Sequence, residues 1–381
     1  MMMDNSTGSN MANITEIYHQ YEDYFDRIGN MSYYDLYVIK HVPLWEIIVK
    51  VVFVLCIIIV SLIGNILIIV IVFRNRQMHT ATNYYIVNLA VADLMVTVSC
   101  TWVALVEDLT NDWVLGAFFC KFNTFMQVLS LVASVLSLTL IAYDRFFGIV
   151  FALRAHMTEK RARTSLIIIW VCALAVTIPI LLYRKLNVRY WSDHIEQWCD
   201  DEFPTSTTTI NNVTVTKHTS RAAYYVIVSV VLYFVPMIVM TFAYSIIIMK
   251  LWISTIPGEI VDKRVEVQAR TKRKVIMMLV VILVVFAVCW LPCQIILLYS
   301  ELRPDKEQRL GEWFRDLQFS GYCMAYSNSA LNPLIYAGFN ANFKRGLADV
   351  WRCISCRDKE NHSSSKGYGT YELSATTATH V

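Results

Sequence analysis

The chain has 381 residues, of which 56% are hydrophobic and 17% are charged, and its formal net charge is +3. Because soluble domains carry about 25% charged residues, this composition excludes an ordinary soluble protein. The apolar residues form continuous blocks, each long enough to cross a hydrocarbon core about 30 Å thick as a helix. The sequence therefore predicts an all-α membrane protein, a seven-transmembrane helix bundle with spans near 46–73, 83–106, 117–143, 165–183, 222–249, 275–300 and 317–339.

The loops on the two sides of the predicted membrane differ in charge. Lys and Arg cluster in the first, third and fifth loops, whereas Asp and Glu dominate the second and fourth. Basic loops stay in the cytoplasm, so the N-terminus is predicted outside and the C-terminus inside. Candidate glycosylation sites, recognised as Asn-X-Ser/Thr, all lie on the side predicted to be external: Asn5, Asn13, Asn30 and Asn212.

The chain is predicted to divide into four parts. Residues 1–43 form an extracellular glycosylated tail, and residues 44–339 form the helix bundle. Residues 340–353 predict a short amphipathic eighth helix on the membrane surface, because their apolar and basic side chains fall on different faces. Residues 354–381 are rich in Ser, Thr and Gly and predict a disordered cytoplasmic tail.

The ten cysteines differ in their predicted depth. Cys120 and Cys199 are the two at the external face, so the oxidising side offers one possible disulfide. Cys353 and Cys356 lie on the inner side at the end of the eighth helix, where they are candidate palmitoylation sites.

The insert 184–220, between the fourth and fifth spans, is the longest external loop. Val213, Val215 and the neighbouring threonines favour β-structure. We therefore expect a short β-hairpin in this loop, lying across the external mouth of the bundle.

Asp93 lies in the middle of the second span, where a carboxylate needs a partner, a cation or a proton. Two interpretations are open: a site for a small hard cation such as Na⁺, or a hydrogen-bond network around a protonated acid. Polar side chains are predicted at similar depth in other spans: Asn65, Ser134, Asn328, Ser329 and Asn332.

Asp144 and Arg145 end a long apolar stretch. Charges at this depth mark either a functional site or the edge of the membrane. Prolines inside the spans remove helical hydrogen bonds and kink the helices, which permits two helix halves to move relative to each other. They are Pro179, Pro236, Pro292 and Pro333.

Together these motifs resemble the rhodopsin-like (class A) G-protein-coupled receptors over about residues 46–355. Each motif is weak alone, but here they occur in order and each in its own span. They are Gly64-Asn65, Leu89 to Asp93, Trp113, Cys120, Asp144-Arg145, Trp170, Cys199, Pro236 with Tyr244, Cys289-Trp290-Leu291-Pro292, and Asn332-Pro333 with Tyr336.

The resemblance implies a plasma-membrane receptor whose sixth helix moves outward to activate heterotrimeric G proteins, with arrestin, a receptor kinase and membrane lipid as further partners. Arg145 would be held by Asp144 at rest and released toward Tyr244 and Tyr336. Trp290 would form the floor of the ligand pocket. Pro292, Asn332 and Pro333 would complete the activation switch, and a sodium site would comprise Asp93, Ser134, Asn328 and Ser329.

Two positions depart from the family pattern. Phe146 stands at the third position of the Asp-Arg-Tyr motif and lacks the hydroxyl. Lys272 stands at the inner end of the sixth helix, where many relatives carry an acid. A salt bridge between Lys272 and Arg145 is impossible, so we predict that this inter-helix restraint is missing.

Two positions exclude ligand classes. Gln127 occupies the site where aminergic receptors carry an Asp, which argues against amine ligands. Tyr326 occupies the site where opsins carry the Schiff-base Lys, which excludes a retinal linkage.

The external mouth is predicted to be rimmed by acids, and acidic mouths attract basic ligands. A basic peptide with an amidated C-terminus would fit, with Glu301 pairing with a guanidinium and Gln127 bonding an amide. The alternative is that the loop acids are solvated surface charge. Predicted rim acids are Glu107, Asp108, Asp200, Asp201, Glu202 and Glu301; predicted lining residues are Gln127, Tyr225, Gln294, Gln318, Tyr322 and Tyr326.

This pocket pattern resembles the neuropeptide Y, neuropeptide FF and orexin group of neuropeptide receptors. Nothing in the chain suggests catalysis, so we expect no enzyme activity and no cofactor beyond an allosteric Na⁺. Two alternatives remain: a class A receptor for a lipid or other non-peptide ligand, and a transporter. The transporter is disfavoured because the spans carry no inverted repeat.

Overall fold

A computed structural model describes most of the chain, namely residues 43–110, 112–151, 158–210, 213–217, 219–253, 263–303, 310–340, 343–350 and 352. Several predictions therefore lie outside the described residues and stay predictions. They concern the tail 1–43 apart from Pro43, the cytoplasmic tail 354–381, the glycosylation sites Asn5, Asn13, Asn30 and Asn212, and the palmitoylation sites Cys353 and Cys356.

Within the described residues, seven long helices form the bundle, which confirms the predicted fold class. Six of them, α1 to α6, are long and apolar enough to cross a membrane. The seventh, α7, is more polar because Asn328, Ser329 and Asn332 on it face the bundle interior, where each is buried. The helices are α1 (Leu44–Arg74), α2 (Ala81–Thr110), α3 (Gly116–Val150), α4 (Glu159–Tyr183), α5 (Thr219–Trp252), α6 (Lys263–Leu302) and α7 (Glu312–Phe339).

Local signals explain where helices begin and bend. Thr80 caps α2 by accepting a hydrogen bond from the Asn83 amide, 3.3 Å away. A π-helical turn, Val230–Phe234, lies within α5 directly before Pro236, which cannot donate a backbone hydrogen bond. A second π-helical turn, Thr97–Thr101, interrupts α2 and was not predicted.

The bundle interior is held by polar contacts between helices, while large apolar side chains are exposed on its outside. Asn88 on α2 donates to the Ser137 hydroxyl on α3 at 2.8 Å, and Trp170 on α4 donates to the Asn88 side chain at 2.9 Å. Outward-facing side chains such as Val171 are 60% exposed, as expected for a surface that contacts lipid.

The long external loop contains two antiparallel hairpins. The hairpin predicted around Val213 and Val215 is present as β3 (Ser206–Ile210) and β4 (Val213–Lys217). A second hairpin, β1 (Arg184–Tyr190) with β2 (Ile195–Asp201), was missed because its strands are rich in charged residues. The strand β2 reaches the cavity described below, while the position of the Val213 hairpin across the external mouth stays a prediction.

Residues 343–350 form a helix after α7, as predicted. Phe343 is only 1% exposed and lies against the Tyr336 ring, 5.6 Å between centroids. Gly346 approaches Ile71 of α1 so closely that a Cβ would lie 2.4 Å from its side chain. Phe343 therefore anchors this helix in the bundle core.

Candidate ligand-binding site

A cavity of about 250 Å³ lies between the outer halves of the helices and the end of β2. The predicted ligand-binding residues all line it, although they come from five helices and one strand. They are Glu107, Gln127, Asp200, Asp201, Tyr225, Gln294, Glu301, Gln318, Tyr322 and Tyr326. The structure thus brings them together at one place, while their role in binding stays a prediction.

The cavity carries both signs of charge. Its lining includes four carboxylates and two guanidiniums, Arg184 and Arg221, which leaves an excess of negative charge. The sequence analysis missed both arginines. From the sequence, an arginine beside an external loop is predicted to be exposed to solvent. The packing of the helices and β1 instead places Arg184 and Arg221 in the cavity lining.

Arg221, in the first turn of α5, holds two acids. Its Nε donates to Glu301 Oε1 at 2.9 Å, and its Nη1 donates to Asp200 Oδ1 at 2.5 Å. Glu301, at the outer end of α6, has a side chain only 3% exposed. A guanidinium of the receptor itself is therefore already bound to Glu301, and the predicted pairing of Glu301 with a ligand guanidinium stays a prediction.

Asp201, in β2, is bound to residues of β1 and α5. It accepts from Arg184 Nη1 at 3.0 Å and from the Tyr225 hydroxyl at 2.5 Å. Arg184 Nε also donates to the backbone oxygen of Cys120 at 3.0 Å. The predicted Cys120–Cys199 disulfide is present and ties β2 to the start of α3. This wall of the cavity is therefore cross-linked by charge and by a covalent bond.

Glu107 on α2 differs from the other cavity acids. Within the described part of the chain, no hydrogen bond or ion pair reaches its carboxylate. The adjacent Asp108 instead binds Lys50 of α1 at 2.8 Å, and Glu202 binds Lys185 at 2.7 Å. Asp108 and Glu202 were predicted at the rim but do not line the cavity.

Aromatic and amide side chains form the deeper part of the cavity. Trp290 is 4% exposed and lies against Phe286, 6.1 Å between ring centroids. Tyr322 and Tyr326 of α7 stack at 5.9 Å. Gln294 is 5% exposed, and its side-chain oxygen has no hydrogen-bond partner among the described residues. A buried acceptor without a donor is costly, so this oxygen favours a ligand that supplies one.

Asp93 lies in a network between α2 and α7. Its two carboxylate oxygens accept from the Ser329 hydroxyl at 2.9 Å and from the Asn332 amide at 2.8 Å. The side-chain oxygens of Asn328 and Asn332 are buried and have no hydrogen-bond partner among the described residues. Ser134 is also buried. The Asp93 carboxylate thus has hydrogen-bond donors on both oxygens. The side-chain oxygens of Asn328 and Asn332 can still accept a hydrogen bond or contact a cation.

The charged pair at the inner end of α3 has a further partner. Arg145 Nε lies 3.8 Å from Asp144 Oδ2, and Arg145 also donates to the hydroxyl of Thr82 on α2. The contact with Thr82 was not predicted. Tyr244 and Tyr336 are buried, and the Tyr336 hydroxyl has no hydrogen-bond partner within the described part of the chain.

Lys272 on α6 is exposed, in agreement with a missing restraint between α6 and Arg145. We expect Lys272→Glu to lower ligand-independent signalling by at least twofold, because an acid here can attract the Arg145 guanidinium. Basal cAMP and calcium signals at matched surface expression measure this. Lys274→Glu makes the same charge change on another face of the helix and is expected to have no such effect. Equal basal signalling in both variants and the wild type would rule out this restraint.

Comparison with known proteins agrees with the seven-helix fold. The family model for the 7 transmembrane receptor (rhodopsin family) matches residues 64–336. The Substance-P receptor of Mus musculus is 32% identical over 329 residues, covering 84% of this chain and 75% of that receptor. The Homo sapiens Substance-P receptor is 30% identical over 321 residues, with 84% and 75% coverage. The Tachykinin-like peptides receptor 99D of Drosophila melanogaster is 31% identical over 296 residues, 77% of this chain and 55% of that receptor.

These relatives carry substance-P and tachykinin names, whereas the subgroup predicted from Gln127, Glu301 and Tyr326 was the neuropeptide Y, neuropeptide FF and orexin group. That narrower assignment stays a prediction. The broader one is confirmed, because the family match covers most of the helix bundle and the identity extends over 84% of the chain. The chain belongs to the rhodopsin family of seven-transmembrane receptors and is not an enzyme.

Proposed function

We propose that this receptor lies in the plasma membrane with its N-terminus outside and binds a basic, C-terminally amidated neuropeptide. The observation that carries the proposal is the excess negative charge of the cavity, in which Glu107 makes no hydrogen bond or salt bridge among the described residues. The names of the Substance-P and Tachykinin-like peptides receptors support a peptide ligand. Glu107 lines the cavity and is exposed to solvent, so an incoming cation can reach its carboxylate, and the negative potential of the cavity favours its approach.

The lining suggests how such a peptide is held. Glu107 receives a basic group, and Gln127 and Gln294 bond amide groups, since each presents both a donor and an acceptor. The stacked Tyr322 and Tyr326 rings offer a flat apolar wall for a side chain.

Trp290, Pro292 and Arg145 connect ligand binding to G-protein activation in this proposal. A ligand that presses on Trp290 shifts its packing against Phe286 and favours outward movement of α6 about the Pro292 kink. Arg145 is then released from Asp144 toward the inner surface, where heterotrimeric G proteins bind. Receptor kinase and arrestin act on the same inner surface, and membrane lipid contacts its basic residues.

We also propose an allosteric Na⁺ held by Asp93, Ser134, Asn328 and Ser329. The donor set fits, because carboxylate, hydroxyl and amide oxygens are the ligands that hard cations prefer. The buried side-chain oxygen of Asn328 has no hydrogen-bond partner among the described residues, and a cation would satisfy it.

A library of amidated peptides, screened with calcium and cAMP readouts, tests the proposal. We expect activation by a basic peptide, and we expect Glu107→Gln to weaken its potency by at least tenfold because the substitution removes the charge but keeps the shape. Glu202→Gln removes an external acid that does not line the cavity and is expected to change potency less than threefold. Activation by lipids alone, or equal effects of the two substitutions, would contradict the proposal.

A further inference from the structure

The contacts of Arg221 have the form of a ligand-binding subsite. One planar guanidinium meets Glu301 Oε1 at 2.9 Å, Asp200 Oδ1 at 2.5 Å and the backbone oxygen of Asp201 at 3.4 Å. These acceptors come from two elements, the outer end of α6 and β2, whereas Arg221 belongs to α5. Arginine is the side chain whose donor geometry suits several carboxylate oxygens at once.

The surrounding surface has further acceptors. Gln294 lies seven residues before Glu301, two turns along the same face of α6, and its buried oxygen has no donor among the described residues. Asp201 Oδ1 is likewise buried without a hydrogen-bond partner. Both residues line the cavity. Two buried oxygens near Arg221, one on Gln294 and one on Asp201, therefore remain available to accept hydrogen bonds from a ligand.

We propose that Glu301 and Asp200 form a guanidinium-binding subsite that the receptor fills with its own Arg221, so that Arg221 determines which basic ligands enter. A side chain tethered next to its partners competes at an effective concentration of about millimolar or higher. A ligand guanidinium therefore binds at Glu301 only by displacing Arg221. Its basic group is directed instead to Glu107, on α2.

This inference rests on the proposed function in one respect, namely that the cavity accepts a basic ligand. Its test does not need the peptide. The probe is N-acetyl-arginine amide, and its neutral isostere N-acetyl-citrulline amide serves as the reference. Binding is measured as the concentration dependence of the thermal stability of the purified full-length receptor.

In the wild type, we expect the arginine probe to bind more tightly than the citrulline probe only to the extent that Glu107 attracts its charge. In Arg221→Gln, we expect this preference to increase at least tenfold, because the Arg221 side chain no longer competes for Glu301 and Asp200. In the double variant with Arg221→Gln and Glu301→Gln, the preference should return to the wild-type value. Arg189→Gln removes an arginine outside the cavity and should behave as the wild type.

Arg221→Gln leaves two acids without this partner and could fold poorly. In that case the variant is expressed with each probe in the medium. We expect the arginine probe to restore surface expression and the citrulline probe not to restore it. The same preference in folded Arg221→Gln as in the wild type, or equal failure of both probes to restore expression, would overturn the inference. Peptide activation that fails while the arginine preference appears would contradict the proposed function instead.

Discussion

Replacing Cys120 or Cys199 with serine is expected to destabilise the receptor by about 4–5 kcal/mol, the chain-entropy value for a bridge between residues 79 apart. The bridge holds β2 against the start of α3, and β2 carries Asp200 and Asp201 into the cavity wall. We therefore expect low surface expression and loss of ligand response. Surface labelling and the thermal stability of the solubilised protein measure the effect.

The double variant and a control cysteine distinguish the loss of the disulfide from the effect of the cysteine-to-serine change itself. Both single variants break the same disulfide, so the double variant with serine at Cys120 and Cys199 should be no less stable than either single variant. Cys172→Ser changes an exposed free cysteine on α4 and should leave expression unchanged. Additive losses in the double variant would mean that the two cysteines act independently.

Replacing Gly64 with alanine is expected to lower stability by about 1–3 kcal/mol, the usual range for overpacking. A Cβ at Gly64 would lie 2.5 Å and 2.6 Å from the Cβ and Cγ atoms of Pro333. The proline ring is fixed to the α7 backbone, so α1 and α7 must separate to make room. This separation also strains the neighbouring hydrogen bond from Asn65 to the backbone oxygen of Ser329, 2.9 Å long.

Gly338→Ala is the matched control, because it lies in α7 and a Cβ there meets nothing within 4 Å. Alanine is the better helix former, so Gly338→Ala should be neutral or stabilising by about 0.5–1 kcal/mol. Thermal denaturation of the two solubilised variants gives the comparison. If Gly64→Ala is as stable as Gly338→Ala, the contact between α1 and α7 is not tight.

The helix bundle was predictable because each span is a local property of the sequence. A block of about 20 apolar residues is a transmembrane helix whatever its neighbours are. The free cysteines could be assigned to the spans in the same way, which left Cys120 and Cys199 as the external pair. The hairpin β1–β2 escaped prediction because its charged strands lack a regular alternation of polar and apolar residues.

The cavity could be predicted only in part. The number of spans, and the side chains that reach one end of the bundle, could be read from the sequence because both follow from position along a helix. Which of these side chains meet depends on the packing of the helices. Glu301 and Arg221 are 80 positions apart, as are many residues that never meet, and Arg145 and Thr82 are 63 apart. Such pairings depend on how the helices pack, which no local pattern records.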